Sequence, residues 1–328
     1  MKVDTAFDTY QGVVNAAPGA VTEARRRRDL FKDAFAGETV EVRPSGSLAR
    51  GTQHDPIKDV DTILVFDADD HPGWGRPGPS AQDALDHVAA RTKDLLGKYG
   101  THSPGEVRLI MPRNHAVKCF LDDPDDPDRF TVDAMPALRL ADGTLLVPEA
   151  RSSDWIVTNP GHLIDEALRA HRAGRIYAPM VRVLKRWRRR TGVDVKSLFI
   201  EVLALECMPK TGSRQQALAS FFTAAAVRIN QPVCDPAGLC GEVQPGVDTV
   251  GLRTRLADAA DLAANAVAHE GWEQDDVAVR LWGDIFGPDF PKPPGAGGGG
   301  AVGSGLPARG AAAALAIPRR TVKDINQG

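Results

Sequence analysis

Cysteine is scarce in this chain: four in 328 residues, at positions 119, 207, 234 and 240. So few and so scattered, they build no disulfide framework, which fits thiols kept reduced in a cytoplasm. The spacing of Cys234 and Cys240 is not that of a zinc knuckle, so both are predicted to be unligated. Long apolar runs are lacking too. Spanning a bilayer takes roughly 18–20 apolar residues, and the longest candidate, 217–227, is broken by Ser220 and Thr223. The first ten residues mix charged and polar groups without the apolar core of a secretory signal. A cytoplasmic protein with no membrane contact is expected. Nor is there a large charge of one sign: the formal net charge is −3. A whole-chain nucleic-acid binder is usually clearly basic. The four arginines at 25–28 form too short a cluster for such a footprint and read as a solvated helix face, so no nucleic-acid activator is expected.

What is present is an ordinary globular composition, 42% hydrophobic and 25% charged. The length exceeds what one core usually fills, so two domains are expected. Residues 4–16 and 21–36 have helical periodicity. From 38 to about 147 the pattern is mainly that of strands, with an alternating segment at 38–43. An unbroken apolar run covers 62–66, and a short β-branched segment covers 130–133. One helix, 81–99, interrupts them, and the Asp/Pro-rich stretch 122–128 reads as a hairpin loop. Beyond Asp154 helical segments follow one another at 162–173, 179–190, 197–207, 215–229, 252–269 and 273–286. The last region, 291–310, holds eight glycines and four prolines in twenty residues and cannot bury enough apolar area to fix a shape. The expected organisation is therefore a sheet domain with N-terminal helices (1–150), a helical domain (151–290) and a flexible Gly/Pro/Ala-rich tail (291–328).

The chemistry is carried by Gly46-Ser-Leu-Ala-Arg-Gly-Thr52, followed by Asp59-Val-Asp61 leading into the apolar run. On a strand, residues i and i+2 face the same way, so Asp59 and Asp61 converge while Val60 faces the other side. Two adjacent carboxylates repel, and a divalent cation removes that cost. All-oxygen ligands point to Mg²⁺ or Mn²⁺ rather than zinc, and nucleotidyl transfer uses two such ions. Gly46 and Gly51 frame a turn whose N–H groups, with the Ser47 hydroxyl, can cradle triphosphate oxygens. Asp133, at the end of the 130–133 segment, supplies a third carboxylate if that strand lies beside 62–66. His54 and His115 are read as solvated.

At these residues the chain resembles the polymerase-β-like nucleotidyltransferase superfamily, whose pattern is Gly-Ser followed by an Asp-hydrophobic-Asp strand. Within it, residues 20–290 resemble the bacterial CD-NTases, the cGAS/DncV-like and oligoadenylate-synthase-like enzymes. Thr131-Val-Asp-Ala-Met-Pro136 is similar to the segment carrying the third carboxylate. Val181-Arg-Val-Leu-Lys-Arg-Trp187 resembles a helix whose phosphate-contacting lysine falls on Lys185. Ser197-Leu-Phe-Ile-Glu-Val-Leu203 resembles a segment whose serine contacts the donor triphosphate. Trp155 and Asn159-Pro160 resemble the entry to the helical domain.

The resemblance implies an α+β bilobal fold: a nucleotidyltransferase sheet domain, an all-helical domain, and the active site between them. It implies NTP substrates (ATP, GTP, UTP or CTP) joined into a cyclic di- or trinucleotide second messenger. That messenger would switch on an antiphage effector. The implied roles are metal binding by Asp59, Asp61 and Asp133 and triphosphate binding by Gly46, Ser47, Lys185 and Ser197. An RNA-tailing enzyme, or one that nucleotidylates a protein or drug, is the alternative on the same fold. The terminal Gly328 suggests conjugation, or a tail read by a regulatory partner, against a plain disordered end.

Overall fold

A computed structural model describes residues 1–98, 105–127 and 129–293. The chain opens with two helices, α1 (Val3–Val14) and α2 (Pro18–Ala34), the second started by a proline in its first turn. Then come β1 (Glu41–Ser45), a short helix α3 (Gly46–Arg50) and β2 (Asp59–Phe66). Helix α4 (Ser80–Leu96) leads to β3 (Leu109–Pro112), β4 (Val117–Phe120), β5 (Thr131–Arg139), β6 (Leu145–Glu149) and β7 (Asp154–Thr158). The helical half contains α5 (Pro160–Gly174), α6 (Tyr177–Arg188), α7 (Ser197–Cys207), α8 (Arg214–Arg228), α9 (Thr249–Gly271) and α10 (Asp275–Phe286).

The strands form one sheet in the order β1-β2-β5-β4-β3, with β6 continuing from the far end of β5 and β7 beyond it. β2 and β5 are parallel; the other neighbours are antiparallel. β2 is central and buried along Thr62–Phe66, which is why its sequence is an unbroken apolar run rather than an alternation. β5 runs for nine residues, well past the expected 130–133, because its first half pairs with β4 and its last residues pair with β6. The acidic stretch after β4 does join two antiparallel strands. Within it Asp122 accepts the Phe130 N–H at 3.0 Å and pairs with Arg27 at 2.8 Å.

Two boundaries differ from expectation. The sheet runs on through β7 to Thr158, past the junction expected near Arg151. Asn159 then caps α5 by accepting the His162 N–H at 3.1 Å, with Pro160 as the first helical residue. Helix α1, assigned by sequence to the sheet domain, instead packs into the helical core. Its stripe of Val3, Ala6, Phe7, Tyr10 and Val14 is buried there, and the Phe7 ring meets Trp282 and Phe290 edge-on, each at 5.2 Å. Helix α2 stays with the sheet through Ala24 and Phe31. Of the 25–28 arginines, Arg26 pairs with Glu23 and Glu106, Arg27 with Glu23 and Asp122, and Arg28 with Asp29. Among the described residues no helix is long and apolar enough to cross a membrane. The tail from residue 294, including Gly328, lies outside the described residues.

Candidate active site

Four strands contribute to one rung of the sheet. In register, Ser45 of β1 faces Asp61 of β2, Asp61 faces Asp133 of β5, and Asp133 faces Lys118 of β4. Directly paired residues project to the same side, from strands about 4.8 Å apart. Asp59, two residues before Asp61, shares that side at the exposed end of β2. The strand adjacency on which the third carboxylate depends is therefore present.

The corner between β1 and α3 presses on this rung. Gly46 has φ +67°, and a Cβ built on it would lie 1.7 Å from Asp61 Oδ2. Glycine is required twice over, by the left-handed backbone and by the carboxylate occupying the space of a side chain. The segment expected as a turn is thus one turn of helix, closed by Gly51 at φ +69°.

The carboxylates are electrostatically strained. Burial, then the neighbouring Asp59 and Asp133, push Asp61 up to about 6 against the pull of Arg50 and Lys118. Burial also raises Asp133, with Lys118 opposing and Asp59 adding to it. Asp133 Oδ1 is buried without a hydrogen-bond partner; Lys118 Nζ stands 3.4 Å away, an ion pair without hydrogen-bond geometry. An unsatisfied oxygen beside other hard oxygen donors suits a divalent cation. Among the described residues no three His, Cys, Asp or Glu side chains close into a ready-made ligand shell. That is no obstacle for Mg²⁺, which usually takes one or two carboxylates and completes its octahedron with water and substrate phosphate. The residues fit the ion.

The rung opens onto a cleft between the lobes with two contiguous parts, both lined by Ser47, Asp59 and Ser197. The smaller, about 240 Å³, is cationic, with Lys58, Lys185, Arg188 and Arg189 on its walls. His54 also lines it and is not solvated as expected. Burial, with Arg189, Lys185 and Arg186 nearby, lowers it to about 4, and its Nε2 lies 3.3 Å from Arg189 Nη2. The larger part, about 690 Å³, contains Gly46, Asp61, Arg50 and His115 and is bordered by Asp235, Cys240 and Glu242. This last group belongs to a loop between α8 and α9, read in the sequence only for its cysteines and not placed there at the cleft. Asp235 Oδ2 accepts the Leu239 and Cys240 N–H groups at 3.1 and 3.3 Å, and the Cys240 thiol donates to the Val157 carbonyl at 3.4 Å. All four cysteines are free thiols.

Lys185 does more than point at the cleft. Its side chain is 4% exposed, and Nζ donates to Glu201 Oε1 at 2.9 Å and to the Thr52 carbonyl at 3.1 Å. Arg50 joins the same carboxylate at 2.8 Å. Arg50, Thr52 and Glu201 lie in the quoted motifs but were given no role of their own from the sequence. The one local signal was Glu201 itself, a lone acid in the otherwise apolar run 198–205, which must find partners if buried.

A Gly-Ser corner packed on an Asp-x-Asp strand, a third carboxylate on the parallel neighbour, and a helical lobe across the cleft define the polymerase-β-like nucleotidyltransferase fold. The comparisons agree. The structure of the Escherichia coli MS115-1 CdnC with ATP superposes with a TM-score of 0.68 at 18% identity, over 89% of this chain and 99% of that one. The chain therefore has the fold of the CD-NTases, and the resemblance read from its motifs holds. In sequence it is 24% identical over 180 residues to a cyclic AMP-AMP-AMP synthase from Acinetobacter, 50% of this chain and 52% of that protein. The chain thus spans about half the length of that relative. It is also 22% identical over 301 residues to a probable cyclic nucleotide synthase from Bacillus cereus, 80% of this chain and 85% of that protein. No protein-family model matches the chain.

Proposed function

We propose that this chain is a metal-dependent nucleotidyltransferase that joins NTPs into a cyclic di- or trinucleotide, releasing pyrophosphate. The observation carrying this reading is the Asp61–Asp133 rung, with Asp59 beside it, opening onto a cleft whose far wall is cationic. Bound Mg²⁺ or Mn²⁺ would neutralise the three carboxylates and the charge developing on the leaving pyrophosphate. The chain's own residues do the rest. Ser47, on the Gly46 corner, and Ser197, at the start of α7, flank the triphosphate from opposite lobes; Lys185 adds a fixed cation. Holding the α-phosphate against the acceptor hydroxyl in this way makes the step effectively unimolecular. Asp133 takes the proton of the attacking 2′- or 3′-hydroxyl. The second nucleotide would occupy the larger part of the cleft, under the 234–243 loop. The cyclic product would act as a messenger to an effector in antiphage signalling, with a partner or conjugating enzyme acting on the tail.

Purified protein incubated with four labelled NTPs and Mg²⁺, and no added acceptor, tests this. The expected product is small, phosphatase-resistant and cyclic by mass spectrometry. In parallel reactions supplied with RNA, protein or an aminoglycoside, label appearing only on that acceptor would replace the synthase reading with a tailing or modifying transferase.

A further inference from the structure

The cleft wall holds a buried charge assembly that metal-assisted transfer does not by itself require. Glu201 is 1% exposed and sits in α7, a helix buried on most sides. An ionised carboxylate persists there only if its lone pairs are filled. They are. Oε2 accepts from Arg50 Nε at 2.8 Å and Thr52 Oγ1 at 2.6 Å; Oε1 accepts from Lys185 Nζ at 2.9 Å and Arg50 Nη2 at 3.2 Å. These donors come from both lobes: Arg50 ends α3, Thr52 follows it, and Lys185 lies on α6. Two cations against one anion leave one net positive charge in the wall. Of the three N–H groups on Lys185, the Thr52 carbonyl and Glu201 take two, which leaves one for the 240 Å³ pocket that Lys185 lines beside Ser47 and Ser197.

We propose that Glu201 is the positioning residue of the donor-nucleotide site, aiming the Lys185 ammonium at the triphosphate. The inference rests on the reading of the cleft as an NTP site. Burial alone pushes Lys185 toward the neutral amine, and Glu201 opposes this. Removing the carboxylate charge therefore weakens triphosphate binding through Lys185, whereas a merely structural acid would lower stability and leave nucleotide affinity alone.

The test is a double-mutant cycle on the full chain: wild type, Glu201→Gln, Lys185→Met and the pair. Kd for non-hydrolysable analogues of the four NTPs is read by equilibrium dialysis, and KM, kcat and melting temperature are read alongside. Each single substitution is expected to raise Kd and KM about tenfold or more, the scale of one charge-assisted hydrogen bond, with a smaller change in kcat. The pair should bind no more weakly than Lys185→Met alone. Unchanged Kd in Glu201→Gln, or additive losses in the pair, overturns the proposal. Should Glu201→Gln fail to fold, Thr52→Val removes one donor and keeps both ion pairs. It should weaken binding several-fold in the wild-type background and not in Lys185→Met; equal loss in both backgrounds is contrary. Coupled binding without pyrophosphate release would sink the enzymatic reading and keep this one. Turnover with additive losses does the reverse, and a wild type that binds no NTP overturns both.

Discussion

Replacing Gly46 by alanine concentrates the account in a single methyl group. The added Cβ would fall 1.7 Å from Asp61 Oδ2 and 2.6 Å from Asp61 Cγ, far inside contact distance, at a backbone φ of +67°. The left-handed conformation alone costs a non-glycine residue about 1–2 kcal/mol. That lowers the melting temperature by a few degrees in a chain of this size. The larger consequence is positional. Either the corner carrying Ser47 retreats or the Asp61 carboxylate swings off its rung, and a misplacement of about 1 Å can cost roughly 10²-fold in rate. Pyrophosphate release from NTPs, measured beside a thermal melt, should fall by about two orders of magnitude while the protein remains folded. A folded Gly46→Ala variant with wild-type turnover would refute the contact between this corner and the Asp61 carboxylate.

Asp59→Asn combined with Asp61→Asn should abolish NTP consumption without unfolding the chain. It should also erase the rise in melting temperature expected of the wild type on adding Mg²⁺; undiminished turnover would contradict the assignment. Glu201 makes stability acid-sensitive. Burial would raise it, but Arg50 and Lys185 hold it at about 2, below the ordinary 4.5. A depressed carboxylate contributes stability that is present above about 4.5 and lost as pH falls through about 2, here on the order of 3 kcal/mol. Melts between pH 5 and 2 should show this loss in the wild type and not in Glu201→Gln. Deleting residues 311–328 should leave basal synthesis intact; lost cellular signalling with intact synthesis would support a tail partner.

Much of the site was legible because it is local. Gly46, Asp59 and Asp61 lie within one strand–corner–strand segment, and the apolar run after Asp61 announces a strand buried on both faces. Asp133 needed one further step, since nothing in the sequence says which strand lies beside β2; the register supplies it. Helix α7 was read from Ser197 to Cys207 as it stands, but the meaning of Glu201 was not. Its partners Arg50 and Thr52 are 151 and 149 residues away, and a charge in an apolar helix says only that some partner exists. The same limit explains α1: its buried stripe shows that it packs, not on which core. His54 was misjudged because only the fold encloses it among arginines.

The central claim is that Asp59, Asp61 and Asp133 together hold divalent cations against a nucleoside triphosphate. A crystal soaked with Mn²⁺ and a non-hydrolysable NTP, with diffraction collected at the manganese edge, tests it most directly. The account predicts anomalous peaks coordinated by these three carboxylates and by phosphate oxygens, with the triphosphate lying along Ser47, Lys185 and Ser197. Manganese bound elsewhere, or a nucleotide seated away from the rung of Asp61 and Asp133, would contradict it.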